Sequence, residues 1–302
     1  MLQVELSADY PGRKDVLHNL TFDMSEGEVV GLVGQSGSGK STLALALLRL
    51  LNFRGGEVRG KIVFEGQDLV TVPESVMRTY RGCKIAYVPQ SPTTSLNAAL
   101  RIRTLISEAW RAHNPQPLAQ TAMLELLARV SLPAEESFLQ LRSGQLSVGQ
   151  GQRLLIALAV LHGPRLIVAD EPTSALDVIT QQEILALFRK ISDESGTAIL
   201  FISHDLLSVA QICDRVAILY GGAIVEIGPT TEVFQRPRHP YAQRLIGAIP
   251  RLALESRPPV APRRVQAGSL SLVSNPTNSC APQARGLERR SPGTHSPGLK
   301  RV

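Results

Sequence analysis

This 302-residue chain predicts an α/β fold: a buried, mainly parallel sheet interrupted by an α-helical insert. Three observations carry that prediction. A glycine-rich loop, residues 34–42, separates an apolar strand-like run, 28–33, from a helical one, 41–51. Two strand-like runs, 165–169 and 197–202, each continuously apolar after its first residue, flank a helix-like stretch, 178–192. Strand–helix–strand alternation with such strands implies a sheet covered on both faces. From about residue 95 to 141 the apolar residues fall at helical spacing, among them Ile102, Leu105, Ile106, Ala109 and Trp110.

The elements follow in order. Leu2-Gln3-Val4-Glu5-Leu6 alternates, residues 16–24 mix apolar and polar, and 61–64 is a short apolar run, which together give an N-terminal antiparallel β subdomain. Lys84-Ile85-Ala86-Tyr87-Val88-Pro89 reads as a strand ended by proline, and 121–130 repeats the helical spacing of the insert. Residues 215–228 read as a hairpin turning at Gly221-Gly222. The expected organisation is one domain over 1–250, with the insert at about 91–145, and a tail over 251–302. The tail holds nine Lys/Arg against two Asp/Glu and seven of the chain's twenty prolines, a composition expected to stay unstructured. With a whole-chain charge of +6, residues 1–250 then sum to about −1, so the body carries no electrostatic footprint for nucleic acid. The longest unbroken apolar run, 154–161, is far short of the roughly 20 residues of a membrane span, and the first residues lack a signal-peptide pattern. Cys83, Cys213 and Cys280 share no metal-ligand spacing.

Gly34-Gln35-Ser36-Gly37-Ser38-Gly39-Lys40-Ser41-Thr42 is built to hold phosphate. Glycine reaches positive φ without steric cost, so successive N–H groups can turn inward around an anion, and the following helix points its positive end there. Lys40 can reach the β- and γ-phosphates and the Ser41 hydroxyl can ligate Mg²⁺. This loop gives a P-loop NTPase core. By itself it leaves kinases, GTPases, helicases and motor proteins open.

Four further segments narrow the field. Leu166-Ile167-Val168-Ala169-Asp170-Glu171 is an apolar strand ending in an acidic pair; Asp170 can hold Mg²⁺ and Glu171 can polarise an attacking water. Gln145-Leu146-Ser147-Val148-Gly149-Gln150 opens a helical run with hydroxyl and glycine, a second anion site that can serve a neighbouring subunit's phosphate. Ser174-Ala175-Leu176-Asp177 follows the acidic pair. Ile202-Ser203-His204-Asp205 ends the next strand and puts His204 at the same sheet edge, in reach of a γ-phosphate.

Over residues 2–250 this combination resembles the ATP-binding-cassette family of transporter ATPases. The resemblance makes residues 34–42 the Walker A loop, Gln90 the Q-loop glutamine and a Mg²⁺ contact, and 146–150 the signature motif. It makes Asp170 and Glu171 the Walker B pair, Ser174–Asp177 the D-loop and His204 the switch histidine. Tyr10 stands where the family stacks an aromatic on adenine, and Ser147, Gly149 and Gln150 are expected to reach the nucleotide of a partner. ATP and Mg²⁺ are the implied cofactors. The middle of the signature is usually glycine, but Val148 stands here, and valine disfavours positive φ and adds bulk.

Residues 90–97, 169–178 and Arg236-Pro237-Arg238-His239-Pro240-Tyr241 further resemble the dipeptide, oligopeptide and nickel importers. That likeness implies a second ATPase subunit, copy or paralogue, two transmembrane permease subunits and an extracytoplasmic substrate-binding protein. It implies a peripheral location at the cytoplasmic face of the inner membrane, with the insert receiving a coupling helix. Many members carry a cysteine cluster after the His-Pro-Tyr segment, whereas only Cys280 stands in that region. Alternatives kept open by the residues are a soluble cassette ATPase of translation or DNA repair, and an ATP-binding regulatory subunit that does not hydrolyse.

Overall fold

The computed structural model describes residues 1–249. The proposed tail over 251–302 lies outside them. In chain order the elements begin with β1 (Leu2–Tyr10), β2 (Arg13–Met24), β3 (Val29–Val33), α1 (Lys40–Leu47), β4 (Glu57–Phe64), β5 (Gln67–Asp68), α2 (Glu74–Tyr80) and β6 (Ile85–Val88). Next come the helices of the insert, α3 (Pro92–Ser95), α4 (Ile102–Arg111), α5 (Gln120–Arg129) and α6 (Glu136–Gln140), followed by α7 (Val148–Val160). The chain then returns to the sheet through β7 (Leu166–Asp170), α8 (Val178–Ser195), β8 (Ala198–Ile202), α9 (Leu206–Ile212), β9 (Arg215–Tyr220) and β10 (Ala223–Pro229), and ends in α10 (Thr230–Gln235) and α11 (Pro240–Gly247).

Two sheets result. One is antiparallel, in the order β2-β1-β4-β5, and the other runs β10-β9-β3-β8-β7-β6, parallel except for the β9–β10 hairpin. The hairpin turns at Gly221 and Gly222, at φ 57° and 91°, the left-handed pair that a tight turn between twisted strands requires. β2 and β4 start earlier than their apolar runs, at Arg13 and Glu57, because their outer ends are exposed and polar, and pairing with β1 rather than burial extends them. α1 stops at Leu47 instead of continuing to residue 51: Arg49 turns to φ 50°, and the amides of Leu50 and Leu51 both return to the Leu45 carbonyl.

Period-two alternation in the parallel strands sorts side chains onto two faces. Val30, Leu32, Val168, Leu200 and Ile202 pack with α1 and the antiparallel sheet. Val29, Val33, Ile167, Ala169, Ile199 and Phe201 pack with α7, α8, α9 and the insert. The insert closes at its neck, where Ile102 N donates to Leu141 O at 2.9 Å, Ser143 N to Leu100 O at 3.0 Å and Gly144 N to Ala98 O at 3.2 Å.

Phe201 is fully buried on β8 and meets Phe188 edge-on at 5.9 Å between ring centroids. Phe201→Ala is expected to cost about 3–5 kcal/mol in denaturant unfolding. Val178→Ala, at a 71% exposed position, is expected to stay within about 0.5 kcal/mol.

Candidate functional site

Three adjoining strands end in one row: Leu32 of β3 pairs with Ile202 of β8, and Ile202 with Asp170 of β7. The loops that carry the polar residues leave the sheet at this common level. The loop after β3 packs so tightly that a Cβ on Gly34 would lie 2.3 Å from the Leu219 carbonyl, and one on Gly39 2.6 Å from Leu17 Cδ2. Gly37 and Gly39 take φ 80° and 108°, a conformation that side chains resist. Lys40 is buried and folds back over the loop, its Nζ donating to Gly34 O at 2.8 Å and Gln35 O at 3.2 Å. Burial pulls the Lys40 ammonium below its ordinary pKa, and the carboxylates of Glu171 and Asp170 oppose that. Ser38 Oγ is buried and has no hydrogen-bond partner among the described residues, so the loop holds an unused donor. Ser36 and Ser41 are exposed at the mouth, and Thr42 is buried as the third residue of α1.

Asp170 is buried, and two hydroxyls satisfy it: Ser41 Oγ donates to Oδ1 at 3.2 Å and Tyr87 Oη to Oδ2 at 3.2 Å. Burial raises its pKa; the two hydrogen bonds and Lys40 pull the other way, while Glu171 pushes further up. The Tyr87 phenol is itself raised, by burial first and by the Asp170 charge second. Tyr87 escaped the sequence reading because it sits inside an apolar strand. A tyrosine half-buried between apolar neighbours needs a partner for its hydroxyl, and that was the available signal.

Glu171 adopts φ 48°, a left-handed conformation uncommon for a side-chain-bearing residue, fixed by its N–H donating to Ile202 O at 2.9 Å. The kink takes the carboxylate off the strand line and puts Oε2 between two groups from different elements. Gln90 Nε2 donates to it at 3.0 Å and His204 Nδ1 lies 3.2 Å away. Gln90 also donates to Ser174 Oγ at 3.2 Å. The Glu171 side chain is only 19% exposed, whereas His204 is 58% exposed and stands at the open side of the pair. These residues can hold a phosphate chain on Lys40 and the loop amides, a divalent cation between Ser41 and Asp170, and a water on Glu171.

The signature residues are elsewhere. Ser147 caps α7 in a reciprocal box, Gln150 N donating to Ser147 Oγ at 3.2 Å and Ser147 N to Gln150 Oε1 at 3.1 Å. Gly149 faces α8 instead, with Thr180 Cγ2 2.7 Å from where its Cβ would be. Val148 is the first helical residue of α7 and is 41% exposed. The expected conflict with positive φ is therefore corrected: the position is helical, and valine tolerates it. Tyr10 ends β1 half-buried against the antiparallel sheet's core, and no hydrogen bond ties it to the glycine-rich loop.

The family model described as ABC transporter matches residues 17–174, and that described as oligopeptide/dipeptide transporter, C-terminal region, matches 225–285, past the expected boundary at 250. The oligopeptide transport ATP-binding protein OppD of Bacillus subtilis is 39% identical over 246 residues, 80% of this chain and 69% of the relative. The dipeptide transport ATP-binding protein DppD of Escherichia coli is 39% identical over 251 residues, 80% of this chain and 76% of the relative. Among solved structures, a dimeric ATP-binding cassette in a post-hydrolysis state bound to ADP and Pi aligns at a TM-score of 0.66 and 26% identity, covering 76% of this chain and 99% of the other. The subunit cbiO1 of Clostridium perfringens, part of a cbiONQ complex, aligns at 0.66 and 25%, covering 84% and 98%.

Burial gives Asp170 a testable cost. A carboxyl whose folded pKa lies above its ordinary 3.8 contributes stability below that value and loses it as pH rises through the folded pKa, so at neutral pH the whole penalty is present. Asp170→Asn keeps an acceptor for Ser41 and a donor for Tyr87 while removing the charge. It is expected to raise the thermal midpoint of the nucleotide-free chain at pH 7 while abolishing nucleotide hydrolysis.

Proposed function

The chain belongs to the ABC transporter family, and on that premise we propose that it is the ATP-hydrolysing subunit of an importer for peptides or a related small solute such as nickel. The ATPase assignment rests on the family. The cargo reading is supported by the match of the C-terminal region and by relatives that carry oligopeptide and dipeptide transport in their names.

One observation carries the catalytic reading: Gln90 and His204 converge on a single oxygen of Glu171, beside a buried lysine and a serine–aspartate pair at the mouth of the loop. Lys40 leaves the Gly34 and Gln35 carbonyls to meet the nucleotide's β- and γ-phosphates, and the amides of the loop from Ser36 to Thr42 close around them. The unpartnered Ser38 hydroxyl and the Ser41–Asp170 pair fit ATP with Mg²⁺, which Ser41, Asp170 and Gln90 would hold. When bound, that cation neutralises phosphate charge. Glu171 Oε2 takes the proton of the attacking water, Gln90 and His204 orient it, and His204 is exposed enough to follow the departing phosphate. Tyr10 is the residue that would stack on the base of the nucleotide.

Ser147, Gly149 and Gln150 serve a second subunit. They make no hydrogen bond to this chain's own loop, and they share the surface at the starts of α7 and α8 with exposed Val148, Val178 and Ile179. Apolar side chains in water beside a capped helix start suit a facing subunit, either a copy or a paralogue. Among the described residues no helix is long and apolar enough to cross a membrane. The membrane partners are then two separate permease subunits, fed by an extracytoplasmic substrate-binding protein, with this chain peripheral at the cytoplasmic face of the inner membrane. The near-neutral body fits a role without nucleic acid.

Glu171→Gln is expected to lower ATP hydrolysis about 10²–10⁴-fold and to trap an ATP-bound dimer, seen as an earlier size-exclusion peak in ATP than in ADP. A variant that hydrolyses at the wild-type rate would overturn the assignment of the base.

A further inference from the structure

The His-Pro-Tyr segment ends in a contact that its position in the sequence does not announce. Tyr241, buried in α11, accepts a hydrogen bond at 3.1 Å from the Gln35 amide, 206 residues away. That amide belongs to the same peptide group as the Gly34 carbonyl, which accepts from Lys40 Nζ at 2.8 Å. A single peptide unit at the entrance of the glycine-rich loop is thus held from both ends, by Lys40 on its oxygen and Tyr241 on its nitrogen. Lys40 must release the oxygen when it turns to phosphate. Tyr241 is the hold that remains.

The phenol is itself fixed. Its ring stacks on Tyr220 at 4.1 Å between centroids and 26° between planes. Its own backbone N–H donates to His239 Nδ1 at 3.2 Å, which caps α11, and Pro240 supplies a first helical residue with φ already set. The amides of Arg238 and His239 both donate to the Glu226 carboxylate on β10, at 3.0 Å and 2.8 Å. A caps-and-carboxylate chain therefore runs from the hairpin through His239 to the Tyr241 backbone, which sets where the phenol points. None of it touches the residues that would act on the water.

We propose that Tyr241 is a positioning residue of the nucleotide site: it fixes the Gly34–Gln35 peptide plane so that the amides after it stay aimed at phosphate once Lys40 lets go. This rests on the ATPase reading above and deepens it by giving the C-terminal segment a role in nucleotide affinity. Tyr241→Phe keeps the ring, its stacking and its packing, and deletes only the hydroxyl.

The test uses the full chain, wild type beside Tyr241→Phe, with three measurements. Titration with MgATP is expected to show affinity weakened about five- to tenfold, the worth of one net hydrogen bond. Steady-state hydrolysis is expected to show the loss in KM, with kcat changed less than twofold, a split that general loosening of the fold would not produce. Hydrogen exchange of the nucleotide-free chain is expected to show the Gln35 amide exchanging faster in the variant while the β3 amides keep their protection. Unchanged affinity with unchanged Gln35 exchange overturns the proposal. A wild-type chain that neither binds nor hydrolyses ATP overturns the ATPase reading instead, and the exchange comparison still decides the contact: equal Gln35 exchange in both proteins rejects it. Loss of β3 protection in the variant would also reject it, since the tyrosine would then be holding the fold and not the loop.

Discussion

Everything at the site depends on the register of three parallel strands. Leu32, Ile202 and Asp170 share a row across β3, β8 and β7, so the glycine-rich loop, the switch-side histidine and the acidic pair all leave the sheet at one level. In a sheet, a slip of one residue would send every side chain to the opposite face. Both faces here are filled, one by α1 and the antiparallel sheet and the other by α7, α8, α9 and the insert, so no slipped arrangement can bury the same side chains. Hydrophobic burial fixes the register, and the register brings Lys40, Asp170, Glu171 and His204 within reach of one another.

Against that rigid edge, the polar groups are held in an idle arrangement. Lys40 is parked on backbone carbonyls, the Asp170 oxygens are occupied by Ser41 and Tyr87, and Glu171 is shared by Gln90 and His204. Lys40 and Asp170 are buried and gain partners through these contacts, and Gln90, Glu171 and His204 come together from three separate segments. Exchanging these internal bonds for bonds to a nucleotide costs little reorganisation, because the groups already face the place where charge would arrive. The left-handed backbone at Glu171 is the local strain that this arrangement carries.

Much of this was legible in the sequence. The loop, the acidic strand end and the Gly221-Gly222 hairpin rest on local chemistry, such as a glycine that must take positive φ or an apolar run that must be covered, and local chemistry is what a sequence displays. The extra length of β2 and β4 was not legible, since Arg13 and Glu57 are polar and become strand only through pairing with β1. Val148 misled in the other direction: the glycine expected there suggested a special backbone, and the position is an ordinary first turn of helix. The bonds from Tyr87 to Asp170 and from Tyr241 to Gln35 join residues 83 and 206 positions apart, and no pattern along the chain encodes such distances.

The neck of the helical insert has a consequence of a different kind. Its two passes of chain run side by side and bond to each other at Ile102–Leu141, Ser143–Leu100 and Gly144–Ala98. A segment whose ends already meet can change its outer parts in evolution without moving the chain that enters and leaves it. Its inner faces stay tied to the host, because Ile106, Leu127 and Phe138 share one core with Ile167 and Phe201, so the room for change lies on the exposed faces of its helices. Substitutions on those exposed faces can accumulate while the strand row beneath, and the chemistry at its edge, stays as it is.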